Sequence, residues 1–160
     1  MITTELIKEL RDKTGISVMQ CKKALEEAGG DMEKAVMLLQ KKSAGIAEKK
    51  GDRTLGAGVV ESYIHATHTV GTMLELLCET DFVAKNEEFR KLARDIAMHV
   101  TATDPKFLET EKDSEKEYAL LDQAFIKNPE LTITNLIQGA VQKFGEKIEI
   151  ARFVRYSVSQ

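Results

Sequence analysis

The period of the apolar residues changes once within a few residues, and that change constrains the fold more than anything else in the chain. Residues 59–65 and 70–79 alternate along their length, with Leu74, Leu76 and Cys78 on one face and Met73, Glu75, Leu77 and Glu79 on the other. An alternation of two is the side-chain period of a strand. The short Ala66-Thr67-His68-Thr69 stretch between the two runs predicts a hairpin. From Asn86 onward the period is 3.6: Phe89, Leu92, Ala93, Ile96, Ala97 and Val100 form one stripe, with Glu87 and Glu88 suited to a first helical turn and Asp104-Pro105 to a stop. The seven residues between, Thr80-Asp81-Phe82-Val83-Ala84-Lys85-Asn86, must therefore make a corner from strand to helix. A corner suits a large aromatic only if the ring tucks into its own core or enters a partner's pocket. Both readings of Phe82 stay open here: a staple onto Phe89 or Leu92, or a contact with another molecule.

Upstream, residues 1–42 predict three short helices. The first starts at Thr3 or Thr4, carries Leu6, Ile7 and Leu10 inward, and stops at Thr14-Gly15. Ser17 followed by Gln20 is a capping-box pattern that opens the second, with Val18, Cys21, Leu25 and Ala28 at helical spacing and Gly29-Gly30 as its stop. Asp31 caps the third, where Ala35, Leu38 and Leu39 face inward. This unit resembles the ubiquitin-associated fold. About 40 residues is marginal for an independent domain, so a docking role beside something larger is expected. Val18 and Met19, at the start of the second helix, are its candidate contact residues, although a half-buried Met19 with no partner fits equally. Residues 43–58 predict a basic, flexible linker punctuated by Gly45, Gly51, Gly56 and Gly58. Lys49, Lys50 and Arg53 could touch RNA there, but no aromatic residues interleave for base stacking, which favours a solvated linker.

Downstream, Ser114 with Glu117 predicts a helix bearing Tyr118, Leu121 and Phe125 on one face, broken at Asn128-Pro129. Thr132 or Thr134 opens a last helix with Leu136, Ile137, Ala140, Val141 and Phe144 inward and Gly145 at its end. Residues 147–159 predict a final strand in which Ile148, Ile150, Val154, Tyr156 and Val158 share a face that Arg152 interrupts, so Arg152 requires an acceptor or an edge position. The expected fold class is α+β: a three-helix module at 1–42, a linker at 43–58, and a 59–160 core of three antiparallel strands with helices on one face. The mixed second face of the 70–79 strand suggests cover by another element or subunit.

The net charge of −3 gives no field that would favour nucleic acid or an anionic membrane. No apolar run is long enough to span a bilayer, so a cytoplasmic protein without membrane or direct nucleic-acid partners is expected. Two cysteines and three histidines do not supply paired metal ligands, and no metal or cofactor is expected. There is no phosphate loop, no dinucleotide glycine pattern and no nucleophile elbow. Asp81 has no second acid or base beside it. A binding protein is expected rather than an enzyme, with two rivals: a peptide-binding adapter built on the N-terminal helices, and a thiol-dependent enzyme using Cys21 or Cys78. Alkylation rates separate the second rival.

The corner Thr80 to Asn86 is similar to the signature of the elongation factor Ts family. The blocks Leu6-Ile7-Lys8-Glu9-Leu10-Arg11-Asp12-Lys13-Thr14-Gly15, Met19-Gln20-Cys21-Lys22-Lys23-Ala24-Leu25, Gly30-Asp31-Met32-Glu33-Lys34-Ala35 and Gly145-Glu146-Lys147-Ile148-Glu149-Ile150-Ala151-Arg152-Phe153 resemble its other motifs in order. The resemblance implies a guanine-nucleotide exchange factor for elongation factor Tu that binds the GDP-bound and nucleotide-free forms, disturbs the Mg2+ and phosphate site and lets GDP leave. It implies Phe82 as a wedge between two helices of the partner, Asp81 as a polar anchor, and Thr80 and Val83 as residues shaping the corner. Val18, Met19 and Lys22 would grip a second helix of the same partner domain. The chain resembles the short, single-core members of the family rather than those with two half-domains and a coiled coil. That implies a homodimer through the core sheet.

Overall fold

A computed structural model describes residues 1–49 and 53–158, with the backbone alone for 46–49. Three helices come first: α1 (Thr4–Thr14), α2 (Val18–Glu27) and α3 (Met32–Lys49). Their starts are chemical. The Thr3 hydroxyl accepts from Leu6 N at 3.3 Å, Ser17 Oγ from Gln20 N at 3.4 Å and Asp31 Oδ1 from Lys34 N at 3.1 Å, each satisfying an otherwise orphaned first-turn amide. Gly15 takes the left-handed conformation (φ 69°) that ends α1. Leu10, Ile16, Cys21, Ala24, Leu25, Ala35 and Leu39 close a small core of their own.

The second core begins with β1 (Ala57–Ile64) and β2 (Val70–Cys78), paired antiparallel as a hairpin. One turn of helix, α4 (Asp81–Ala84), and the long α5 (Glu87–Thr103) follow. Next come two 3₁₀ turns, a two-stranded ribbon of β3 (Ala124–Phe125) and β4 (Asn128–Thr132), α6 (Ile133–Phe144) and β5 (Glu149–Ser157). The main sheet has the order β1-β2-β5, all antiparallel. Its inner face sets Leu74, Leu76, Cys78 and Ile150 against Phe89, Ala93, Ile96, Ala97 and Val100 of α5 and Ile137, Ala140 and Val141 of α6. The fold is thus mixed, with three helices followed by an antiparallel sheet that carries helices on one face.

The structure departs from the sequence expectation in three places. Helix α3 does not stop near residue 42 but runs to Lys49 through the first part of the expected linker. Lys50, Gly51 and Asp52 of that linker, and Ser159 at the far end of the last strand, lie outside the described residues. A reason for the longer helix is tertiary. Ser43 is buried and its hydroxyl donates to Gln142 Oε1 of α6 at 2.5 Å, so this turn of α3 lies on the core rather than in water. The helical unit is tied down again where Asn128 Nδ2 donates to Lys13 O at 2.6 Å.

The second departure is at residues 113–125, where 3₁₀ turns and a short strand replace the expected α-helix. The backbone bonds sideways instead of along a helix: Lys106 N donates to Tyr118 O (2.8 Å), Leu120 N to Phe107 O (2.9 Å) and Leu121 N to Leu108 O (3.0 Å). The third is in β5. Glu75 pairs with Arg152 but Leu76 pairs with Ile150, which leaves Ala151 as an extra residue. The bulge flips the strand's alternation. Ile148 and Ile150 are buried, whereas Val154 and Tyr156 lie opposite Met73 and Gly71 on the outer face and do not share a side with them. Arg152 finds its acceptor there, with Nε 3.2 Å from Glu75 Oε2.

His99 pins the β3–β4 ribbon to α5. It is fully buried, and its Nδ1 accepts from Ile126 N at 3.2 Å, so Nε2 carries the hydrogen and donates to Gln123 Oε1 at 2.9 Å. Gln123 Oε1 also accepts from Thr103 Oγ1 at 2.9 Å. Burial holds the imidazole below its ordinary value of 6.5, and the Gln123 bond offsets part of that. Below about pH 6.5 the unfolded chain therefore binds a proton that the folded chain resists. The stability His99 gives is complete above that pH and is lost as pH falls toward the lower folded value. We expect urea unfolding midpoints to drop more steeply between pH 7 and pH 5 in the wild type than in His99→Gln. The variant should also be about 1–3 kcal/mol less stable at pH 7, the range for disturbing a buried hydrogen-bonded group.

Candidate functional site

The corner after the hairpin is built from the inside outward. β2 ends at Cys78, whose thiol donates to Thr80 O at 3.3 Å. Thr80 is extended (φ −128°, ψ 154°) and caps α4, its hydroxyl oxygen accepting a long 3.5 Å bond from Val83 N. Ala84 N, Lys85 N and Asn86 N donate back to Thr80 O, Asp81 O and Val83 O, which completes a single turn. Asn86 Oδ1 then accepts from Glu88 N at 2.8 Å and starts α5. Val83 and Ala84 are buried in the main core, and Asp81 and Phe82 are left outside.

Phe82 is 85% exposed. The staple onto Phe89 or Leu92 does not form: Phe89 is buried and stands edge-on to Phe144, with ring centroids 6.0 Å apart. Val83, which the resemblance makes a residue shaping the corner, is 4% exposed and anchors the corner from beneath. Within α4 the exposed pair is thus Asp81 and Phe82, held on a turn anchored by its backbone bonds to Thr80, Asp81 and Val83 and by the buried Val83 and Ala84. A ring in this position gains nothing from its own fold, and its apolar surface is available to a partner.

Sequence reading missed one residue here. Glu146, just after α6, accepts from Glu79 N (3.1 Å), Thr80 N (3.0 Å) and Thr80 Oγ1 (2.6 Å). It lies in the Gly145 to Phe153 block, but nothing local relates it to a corner more than sixty residues away. In the N-terminal unit Val18 is 52% and Met19 69% exposed, and the Lys22 side chain is also exposed, 4.0 Å from Glu26. Met37 of α3 is a further exposed apolar residue, absent from the expected inward set of that helix. The structure does not merge the two patches. α2 packs on α1 and α3, whereas α4 packs on β1, β2 and α5.

The site offers binding surface rather than covalent chemistry. Both thiols are buried and free. Burial pushes the Cys78 thiol up, and the nearby Glu146 carboxylate pushes it further. Burial also raises Cys21, against a weaker lowering by its Thr14 bond and by Arg11. A nucleophilic thiol needs the opposite shift. Among the described residues no group of three or more His, Cys, Asp or Glu is placed to hold a metal ion, and no helix is long and apolar enough to cross a membrane.

A family model described as Elongation factor TS matches residues 47–116. The chain is 44% identical to Elongation factor Ts of Thermodesulfovibrio yellowstonii over 194 aligned positions, covering 99% of this chain and 97% of that protein. It is 41% identical to Elongation factor Ts of Carboxydothermus hydrogenoformans (100% and 90% covered) and 42% identical to that of Desulfotalea psychrophila (98% for both). The 194 positions outnumber the 160 residues of this chain, so the first relative holds residues within the matched span that have no counterpart here.

The thiols allow a direct check that the site is not a cysteine nucleophile. Cys21 and Cys78 should be alkylated by iodoacetamide roughly a hundredfold or more slowly in the native protein than in urea, because both must be uncovered and neither is a stabilised thiolate. Mass spectrometry of the modified peptides reads this out. Rapid native labelling of either residue would instead favour thiol chemistry.

Proposed function

The chain belongs to the elongation factor Ts family, and we propose that it is the guanine-nucleotide exchange factor for elongation factor Tu. Family membership makes its role that of a translation elongation factor; the mechanism is our reading of the corner. The observation that carries it is Phe82, an aromatic ring 85% exposed on a turn anchored from beneath by Val83 and Ala84. In this reading the ring enters between two helices of the GDP-bound partner, and Asp81 supplies a polar contact beside it. The intrusion shifts the partner's phosphate loop and its Mg2+ site. Mg2+ neutralises phosphate charge, so disturbing its ligands loosens GDP. Val18, Met19 and Lys22 hold a second helix of the same domain. On this reading the N-terminal unit is a ubiquitin-associated-type docking module. The protein works in the cytoplasm, makes no direct nucleic-acid contact and catalyses no covalent step itself.

Magnitudes limit what Phe82 can do alone. Burying a phenyl side chain contributes about 1.5–3 kcal/mol, or roughly ten- to a hundredfold in affinity. Displacing a tightly held nucleotide takes more, so the second patch must share the work. Coupling is reciprocal: whatever factor the protein takes from GDP affinity, GDP takes from the protein's own affinity. GTP binding then releases it, and the nucleotide equilibrium is unchanged.

The outer face of the sheet supports a homodimer as part of this reading. Val60, Ile64, Met73 and Tyr156 all lie exposed on it, an apolar surface that the protein's own helices leave open. A second copy of the same sheet matches such a face by symmetry, and a stable interface would cover about 800 Å² of it per chain.

Two measurements test these statements. In release of fluorescent GDP from elongation factor Tu, Phe82→Ala should slow the stimulated rate by roughly ten- to a hundredfold. Its thermal stability should stay within about 0.5 kcal/mol of wild type, since the ring makes little contact with its own fold. No stimulation by the wild-type protein would reject the exchange reading, and equal stimulation by both would remove Phe82 from it. Light scattering at micromolar concentration should give a dimer mass for the wild type and a monomer mass for Met73→Glu. A wild-type monomer would count against the dimer.

A further inference from the structure

We propose that Glu146 is the positioning residue of the corner, the group that holds Asp81 and Phe82 in their outward presentation. The inference rests on the reading of that corner as the partner contact. Beyond the register pairs Ala57–Cys78 and Leu77–Glu149 the ladder around β2 has ended, so the next two amides of the chain, Glu79 N and Thr80 N, need acceptors from elsewhere. Glu146 Oε1 accepts from both, at 3.1 and 3.0 Å. Its second oxygen accepts from the Thr80 hydroxyl at 2.6 Å. The exchange is mutual, because Glu79 Oε2 accepts from Lys147 N at 3.1 Å. Two segments 66 to 68 residues apart in sequence thus cap each other's exposed amides through a pair of carboxylates. Arg53 Nη1, 3.4 Å from Glu79 Oε1, balances part of their charge.

The Thr80 hydroxyl turns this clamp into control of the corner. A hydroxyl has one hydrogen and two lone pairs. With its hydrogen committed to Glu146, Thr80 Oγ1 is oriented to accept from Val83 N, the bond that opens α4. α4 has only four residues and cannot hold itself together. Beside the buried Val83 and Ala84 and the turn's own backbone bonds, the cap is what fixes its start, and the cap is oriented by Glu146. α6 delivers the carboxylate accurately: Gly145 adopts the left-handed conformation (φ 71°) that ends the helix and turns the chain toward β2. The hydrogen bonds of Glu146 described above go to Glu79 and Thr80 and not to Asp81 or Phe82. It acts through Thr80.

A residue that merely joined α6 to β2 would, when removed, weaken the fold evenly. A positioning residue leaves a local mark, and the substitutions are graded. Glu146→Gln keeps a carbonyl oxygen for the two amides but allows only one acceptor atom. Glu146→Ala removes both. Thr80→Val keeps the amide bonds and deletes only the relay to Val83. Amide hydrogen exchange of the free protein reads the corner without any partner. In Glu146→Ala the amides of Thr80 and Val83 should exchange roughly tenfold faster or more, as expected for lost charge-assisted hydrogen bonds, with those of α5, α6 and β5 unchanged. Glu146→Gln should lie between, and Thr80→Val should speed Val83 but not Glu79. In the GDP-release assay Glu146→Ala should lower the maximal stimulated rate, with partial rescue in Glu146→Gln. Unchanged protection at residues 79–84, or protection lost equally across the protein, would overturn the proposal. So would a loosened corner that still stimulates GDP release as fast as wild type. If the wild-type protein stimulates no release at all, the exchange reading fails separately, and the amide pattern alone decides whether Glu146 positions the corner.

Discussion

The hydrogen-bonded position of β2 is the constraint on which the core depends. It lies between β1 and β5, and its inner residues Leu74, Leu76 and Cys78 are covered by α5. A strand bonded on both edges and buried on one face has no freedom of register, since a slip of one residue would turn Leu74 and Leu76 toward water. The direction in which β2 leaves the sheet is therefore fixed, and the corner at Thr80 inherits that precision. The exposed ring of Phe82 is only two residues beyond the last amides engaged by Glu146. Functional side chains on loops are useful when a rigid scaffold aims them, and here the scaffold reaches almost to the side chain itself.

Much of this was legible because it is local. The hairpin follows from alternation and α5 from a 3.6-residue stripe. α6 is opened by Thr132, one of the two starts its sequence offers, and closed by a left-handed Gly145, each a signal that resides at the helix end it marks. What could not be read depends on partners distant in sequence. Tyr118, Leu121 and Phe125 have helical spacing, yet Tyr118 O accepts from Lys106 N, Leu121 N donates to Leu108 O and Phe125 pairs with Asn128 of β4, and strands as short as β3 carry no period to detect. The bulge at Ala151 is invisible without the opposite strand, and it moves Val154 and Tyr156 to the other side from Ile148 and Ile150. Gly45 and the basic residues after it suggest a solvated stretch, whereas Ser43 finds Gln142 and α3 continues.

The candidate site divides along the same line. Its most exposed members, Asp81 and Phe82 in the corner and Val18, Met19 and Lys22 in α2, lie in compact motifs and were readable. Whether Phe82 would fold back was not, since Phe89 and Leu92 stood within reach and only the packing of Phe89 against Phe144 shows that the inner place is taken. Val83 shapes the corner from below, as part of its foundation. Glu146 stood in a recognisable block with no visible duty, because its duty is to residues at the other end of the core.

The contact of α3 with α6 has one more consequence. Ser43 on Gln142 and Asn128 on the Lys13 carbonyl tie the N-terminal helices to the core at two points, and a tie that holds there sets the gap between Met19 and Phe82, like the jaws of a caliper. For a partner seized at both points, the second grip is formed at the high effective concentration created by the first, but only when the partner's own two surfaces match that gap. A partner that alters the spacing when it changes nucleotide would slip from one jaw while still held by the other. Length, as much as affinity, would then tell the protein which state it has hold of and when to let go.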